Sequence, residues 1–231
     1  MLLKVVDKGQ HRDISIKQGE LFLLPACVEH SPQRFENTVG CVIERTRLKD
    51  ELDCIRYFVD GSTKVLWEKW FHLEDVVKDL PPVIKEFKDS PQNKSGADSQ
   101  LASPPAGSYS TDENVTVSEP IALSDFIDRH MLEINTKAPF QVYGPPTNKS
   151  FVLLYGEGVH SLSTDNSGDL IVMTMRKFRF RFFLLEGGVT RNLCSIKGLY
   201  YGTIYYCSVK ANTKFSLKLP GGAVCITVKV E

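Results

Sequence analysis

Residues 18–35 run Gln18-Gly19-Glu20-Leu21-Phe22-Leu23-Leu24-Pro25-Ala26-Cys27-Val28-Glu29-His30-Ser31-Pro32-Gln33-Arg34-Phe35. The stretch 20–24 between Gly19 and Pro25 has the length and content of a β-strand ended by a tight proline turn. His30 then enters the next strand. An imidazole placed there has two readings. It is a polar side chain at a strand edge, the common fate of a lone His, or a donor at a barrel mouth that points inward as a metal ligand.

Outward from this stretch, segments 2–6, 13–16, 39–44 and 54–59 have strand length and β-branched or aromatic content. Asp7-Lys8-Gly9, Gln18-Gly19, Pro25 and Asp60-Gly61-Ser62 punctuate them. Closely spaced strands with tight turns predict a β-sandwich or β-barrel. A helical pattern follows, with Leu73, Val76, Val77 and Leu80 on one face and then Val83, Ile84 and Phe87. Pro81-Pro82 is expected to break or restart that helix.

Between 90 and 119 the composition shifts to Pro, Ser, Gly, Asn and Lys, with few large apolar residues to offset the entropy of ordering. The expected organisation is a first domain over 1–99, a linker over 100–116 and a second domain over 117–231. The second begins with a helix capped by Ser124, with Asp125 and Asp128 in its first turn and Phe126, Ile127, His130 and Met131 near one stripe. Strand candidates then cover 139–143, 151–155, 170–175, 177–185, 202–209, 215–219 and 223–230. Two modules of similar β character suggest a tandem duplication, without a clear residue-level repeat.

Composition excludes several classes. Lys plus Arg (28) balances Asp plus Glu (28), so no global field favours nucleic acid or an anionic membrane. Apolar runs fall far short of the roughly 18 residues of a membrane span, and Lys4, Asp7 and Lys8 interrupt any leader-like core. The expectation is an intracellular, cytosolic protein. Its six cysteines (Cys27, Cys41, Cys54, Cys194, Cys207, Cys225) form no CxxC pair and read as reduced thiols buried in strands.

The spacing Gly19, Pro25, His30 resembles the second motif of the cupin barrel, whose His is a metal ligand. Cys27 stands where that motif has Gly, and Arg34 where it has Asn. The runs 19–25 and 30–35 resemble more specifically the 3-hydroxyanthranilate 3,4-dioxygenase family. So do Asn37-Thr38-Val39-Gly40, Glu44-Arg45, Leu52-Asp53, Arg56-Tyr57 and Trp67-Glu68-Lys69-Trp70-Phe71. The likeness is dense over 2–90, looser over 117–160 and patchy from 176 onward. It implies an all-β protein with a few helices, built from two tandem cupin-type barrels (a bicupin), the first truncated at its N-terminus.

The resemblance further implies a mononuclear Fe(2+) site of two His and one Glu, a facial set that leaves positions open for substrate and dioxygen. His30 matches one metal His. Arg34 matches the Arg that pairs with the substrate carboxylate, a task its planar fork suits. Glu44 matches the acid on the substrate's amino and hydroxyl side. Without the family match, Arg34 and Glu44 read as a mutual ion pair on neighbouring strands. The family's other metal His, its metal Glu and a second substrate Arg belong to a first motif ahead of the position of Met1, and no His-x-His or His-x5-Glu occurs before His30.

The remaining histidines offer no substitute. His11 reads as solvated in a turn, His72 as following a packing run, His130 as lying on the second helix and His160 as lying in a Gly-rich turn. The alternation of base and aromatic over 177–182 reads as a half-buried strand with an Arg face rather than a stacking platform for nucleic acid. Cys194, Cys207 and Cys225 lack the pairing of the second iron site found in bacterial relatives.

The implied activity is that of a non-haem iron extradiol dioxygenase of tryptophan catabolism. It opens the ring of 3-hydroxyanthranilate with dioxygen, as a monomer, without nucleic acid or membrane. The alternative is a catalytically silent bicupin fragment that serves as a metal-free binding or interaction module.

Overall fold

Lys8 and Gly9 both take left-handed backbone (φ 51 and 74), the conformation a two-residue hairpin turn demands. This turn folds β1 (Leu2–Asp7) onto β2 (Gln10–Ser15) with Val5 opposite Arg12 and Leu3 opposite Ile14. The computed structural model describes residues 1–44, 47–96, 101, 103–106, 108–112, 114–136, 139–144, 150–164, 170–174, 181–186, 194–197 and 203–230, the side chains of 170, 171, 174, 181–186, 194–197, 203–207 and 230 excepted. By their contacts they form two units, Met1–Thr38 with Thr46–Ile121, and Val39–Arg45 with Ala122–Glu231. The chain is mostly sheet with a few helices.

In the first unit β3 is short (Glu20–Leu21), and β4 (His30–Gln33) pairs antiparallel with β1, so the order in this sheet is β2-β1-β4. Leu3, Val5, Ile14, Val28 and Val117 are buried together, with Ile16, Phe22, Leu24 and Val115 packed around them. Each such side chain withdrawn from water contributes about 1.5–3 kcal/mol. A second hairpin joins β5 (Asp53–Phe58) to β6 (Val65–Phe71). It packs under α1 (Val76–Asp89), where Phe87 stacks on Tyr57 with ring centroids 3.5 Å apart and Leu66, Trp67 and Val83 complete the cluster. Asp75 caps α1 by accepting the N–H groups of Val77 and Lys78, and a short α2 (Pro91–Ser95) follows.

Several sequence expectations are corrected here. Pro81 and Pro82 lie inside α1, which runs through them. Both are exposed, as are Val77 and Lys78, whose carbonyls lose their helical partners on a face open to solvent. The buried stripe is Val83 and Phe87, while Val76 and Val77 are exposed. Residues 39–44 are not a strand; Val39 and Val42 are exposed on irregular chain. Alternating apolar content makes a strand only where a neighbouring strand receives its backbone groups. Cys27 and Cys41 are exposed rather than buried, Cys54 is half-buried, and Cys225 alone among these four lies in the core. The described residues of 101–117 lie in no helix or strand, yet Tyr109 meets Trp70 edge-on at 5.2 Å and Val117 is buried.

After β7 (Ile121–Ala122), the second unit carries α3 (Leu123–Thr136), which begins at Leu123 and so places Ser124 within the helix rather than at its cap. Its buried residues are Leu123, Ile127 and Ile134. A six-stranded antiparallel sheet runs, from edge to edge, β13 (Cys194–Lys197), β14 (Thr203–Val209), β11 (Leu170–Thr174), β16 (Cys225–Val230), β9 (Ser150–Tyr155) and β8 (Phe140–Gln141). A three-stranded sheet orders β10 (Gly158–Ser163), β15 (Lys214–Leu219) and β12 (Arg181–Glu186). Tyr155, Val172, Val209, Phe215, Leu217 and Cys225 form the core. His160 therefore sits on strand β10, not in a turn, and that strand alternates half-buried and exposed residues along its whole length. Of the basic–aromatic run 177–182, positions 177–180 lie outside the described residues and 181–182 are described in backbone only.

Candidate active site

His30 opens β4, directly opposite Val5. It is exposed, and its Nδ1 lies 3.0 Å from the carbonyl oxygen of Val28. A carbonyl only accepts, so Nδ1 carries the hydrogen and the Nε2 lone pair of the neutral ring is left as the donor toward any ligand. Val28 is itself buried in the core, which anchors the backbone on that side.

Glu29, just ahead of β4, is held at both its backbone and its side chain. Its backbone oxygen accepts from Val6 N–H at 3.0 Å, and its carboxylate meets Arg56 Nη1 at 2.5 Å. Arg56 Nε also donates to Glu68 Oε2 at 2.7 Å, and its guanidinium lies 5.8 Å over the Trp70 ring. Trp70 Nε1 in turn donates to Glu68 Oε1 at 3.2 Å. Burial opposes the charge on Arg56, but the hydrogen bonds it donates to Glu29 and Glu68 outweigh that and hold its proton more tightly than usual. Arg56-Tyr57 was legible as part of a family-like string. That Arg56 gathers Glu29 and Glu68 was not, because it depends on how the β5–β6 hairpin packs beside the sheet.

Arg34 follows β4 and is exposed in the first unit; Glu44 is exposed on the segment Val39–Arg45, which clusters with the second unit. Neither lies on a strand, so the expectation of an ion pair across neighbouring strands loses its basis. The loop after Arg34 is held locally, Thr38 Oγ1 donating to the carbonyl of Phe35 at 2.6 Å. His30 on β4 and Arg34 just after it lie in the first unit, and Glu44 lies on the segment grouped with the second.

The other imidazoles are committed to backbone or neighbouring carboxylates. His11 lies on β2 rather than in a turn; its Nε2 donates to Ser62 O at 2.7 Å and its ring meets Phe58 edge-on at 5.4 Å. His72 donates to Glu51 O at 2.8 Å, and His160 to Gly156 O at 2.9 Å. His130 pairs with Glu133 at 2.6 Å beside the rings of Phe126 and Phe140. Among the described residues no three His, Cys, Asp or Glu side chains are grouped to hold a metal. His30 offers a single nitrogen, and its neighbour Glu29 points away into the Arg56 clasp. The described residues therefore do not fit a facial three-donor centre.

A family model described as 3-hydroxyanthranilic acid dioxygenase matches residues 1–88. The 3-hydroxyanthranilate 3,4-dioxygenase of Caenorhabditis elegans is 41% identical over 233 residues, covering 100% of this chain and 77% of that protein. This chain belongs to the 3-hydroxyanthranilate 3,4-dioxygenase family. The dioxygenase of that name from Bos taurus is 48% identical over 160 residues, 68% of this chain and 54% of its own length, and the Homo sapiens protein is 44% identical over 160 residues. Among the described residues no helix is long and apolar enough to cross a membrane.

Proposed function

We propose that this chain serves the ring-cleaving reaction of its family. The ring of 3-hydroxyanthranilate is opened with dioxygen to 2-amino-3-carboxymuconate semialdehyde, the precursor of quinolinate in NAD biosynthesis. The observation that supports this is 41% identity sustained over the entire chain. In this reading the chain is a bicupin, with one cupin-type domain over 1–99, a linker over 100–116 and a second cupin-type domain over 117–231. Arg34 receives the substrate carboxylate through paired N–H groups, and Glu44 meets the amino and hydroxyl side. Orientation of a planar acid by such a fork is the contribution this chain's own residues make. The protein acts in the cytosol as a monomer on a small substrate.

Ferrous iron is the metal we assign to the family site, where it supplies oxygen activation when bound. Of the expected ligand set, a His and a Glu beside His30, the described residues present His30 alone. The alternative reading is a catalytically silent bicupin fragment that serves as a metal-free binding or interaction module.

The test uses this chain and the same chain joined to the part of the roundworm relative that the match leaves uncovered. Each is loaded anaerobically with ferrous iron and freed of excess. Bound iron and oxygen-dependent loss of 3-hydroxyanthranilate are then measured. Weak iron binding and little turnover in the 231-residue chain, with both restored in the joined chain, is the expected result. Failure in both forms, with 3-hydroxyanthranilate still bound, establishes the metal-free module instead.

A further inference from the structure

We infer that Arg56 is a positioning residue for His30, acting through Glu29. This rests on the proposed role of His30 as the donor imidazole of the site. The β5–β6 hairpin and the β2-β1-β4 sheet are separate sheets that exchange no ladder hydrogen bonds. Polar ties cross between them instead: His11 to the carbonyl of Ser62 at 2.7 Å, and Arg56 to the carboxylate of Glu29 at 2.5 Å. The second tie lands on the residue that separates Val28 from His30.

The three-residue segment is held from both faces. Val28 is fixed in the apolar core on one side, and Glu29 is fixed by the guanidinium on the other. Val6 N–H holds the Glu29 carbonyl between them at 3.0 Å. What this frame determines is where the Val28 carbonyl points, and that carbonyl holds Nδ1–H of His30 at 3.0 Å. The hydrogen bond at one ring nitrogen decides which nitrogen keeps its lone pair. Arg56 is itself kept rigid by Glu68, whose second oxygen is occupied by Trp70 Nε1, and by the Trp70 face. The chain of constraint therefore runs from Trp70 and Glu68 through Arg56 and Glu29 to the orientation of Nε2 on His30. In this assignment Arg56 acts through Glu29 and not on substrate or metal directly.

The test reads the ring directly and needs neither metal nor turnover. The 231-residue chain is labelled with 15N-histidine and observed at about pH 8.5, where an ordinary imidazole is neutral. His30 is assigned through His30→Asn. The unaltered chain should carry the hydrogen on Nδ1 of His30. In Glu29→Met, which leaves the Arg56–Glu68 pair in place, the ratio of Nδ1–H to Nε2–H form at His30 should fall about fivefold, the equivalent of one ordinary hydrogen bond. His72, held by Glu51, should not change. Arg56→Met should reproduce the shift at His30. If Arg56→Met fails to fold because Glu29 and Glu68 lose their shared cation, Glu29→Met decides alone. A folded Glu29→Met with an unchanged His30 pattern overturns the inference and leaves the clasp as packing only. Failure of the functional reading looks different: ring opening would survive His30→Asn in the joined chain, whatever the nitrogen spectrum showed.

Discussion

Arg12 donates a hydrogen bond to the carbonyl oxygen of Val117 over 2.8 Å, from a strand residue 105 positions earlier in the chain. The same Nη1 donates to Asp7 Oδ2 at 2.7 Å, and Nη2 pairs with Glu119. One guanidinium thus pins the irregular segment ahead of β7 to the first hairpin.

Replacing Arg12 with Met should destabilise the first unit by about 2 kcal/mol, because Asp7 keeps a largely buried charge whose Oδ1 already has no hydrogen-bond partner. Urea unfolding measures the loss. Limited proteolysis between 101 and 119 should accelerate in parallel. Glu119→Gln should cost under about 0.5 kcal/mol, since Glu119 is 76% exposed. Equal losses in the two variants would show that the exposed pair, not Asp7 and Val117, carries the tie.

Pro82→Ala should stabilise the protein, by about 1–3 kcal/mol, since the substitution returns an N–H to the carbonyl of Lys78 within a helix that already runs through the position. Thermal unfolding reads the gain. A fall in melting temperature would mean that the proline is needed for a bend against the hairpin.

Arg34→Ala should leave stability within about 0.5 kcal/mol, as the side chain is exposed. In the joined chain described above it should raise the KM for 3-hydroxyanthranilate by about a hundredfold, the cost of leaving a carboxylate without its charged partner. An unchanged KM removes Arg34 from substrate recognition.

Cys54 and Cys27 should separate in their thiol chemistry. Burial pushes the Cys54 thiol up to about 11, while Cys27 lies exposed in a left-handed backbone (φ 61). At pH 8 the thiolate fraction at Cys54 is about a hundredfold below that of an unshifted thiol, so iodoacetamide should modify Cys27 well before Cys54. The sign for stability follows. Because the folded value is raised, the contribution of Cys54 is intact below pH 9 and is lost as pH rises toward 11. Peptide mapping by mass spectrometry after timed alkylation checks the order. Simultaneous modification would show that Cys54 is not shielded.

Local chemistry was readable wherever it decides structure locally. The Lys8-Gly9 turn, the strand that carries His30 and the amphipathic stretch ending in Phe87 were all visible in residue order. Segment 39–44 misled because its valines have strand propensity but no sheet to join. The strand Gly158–Ser163 was passed over because its bounding glycine suggested a turn, although Val159, Ser161 and Ser163 alternate with His160 and Leu162. Pro81-Pro82 misled in the opposite direction, since exposure makes two missing helical bonds affordable. The placement of His30 on a strand was legible from motif spacing, but the Arg56 clasp behind it arises from long-range packing that no spacing rule encodes.

The edge position of His30–Gln33 has one more consequence. Glu29 gives its carbonyl to β1, so by alternation Ser31 and Gln33 also face the sheet, while His30 and Pro32 turn their backbone groups outward. On that outer rim Pro32 has no N–H to give. A second extended segment docking there would find its hydrogen-bonding ladder interrupted after a single donor. Among the described residues, Pro32 therefore leaves the outer rim of this edge strand a poor template for a further strand.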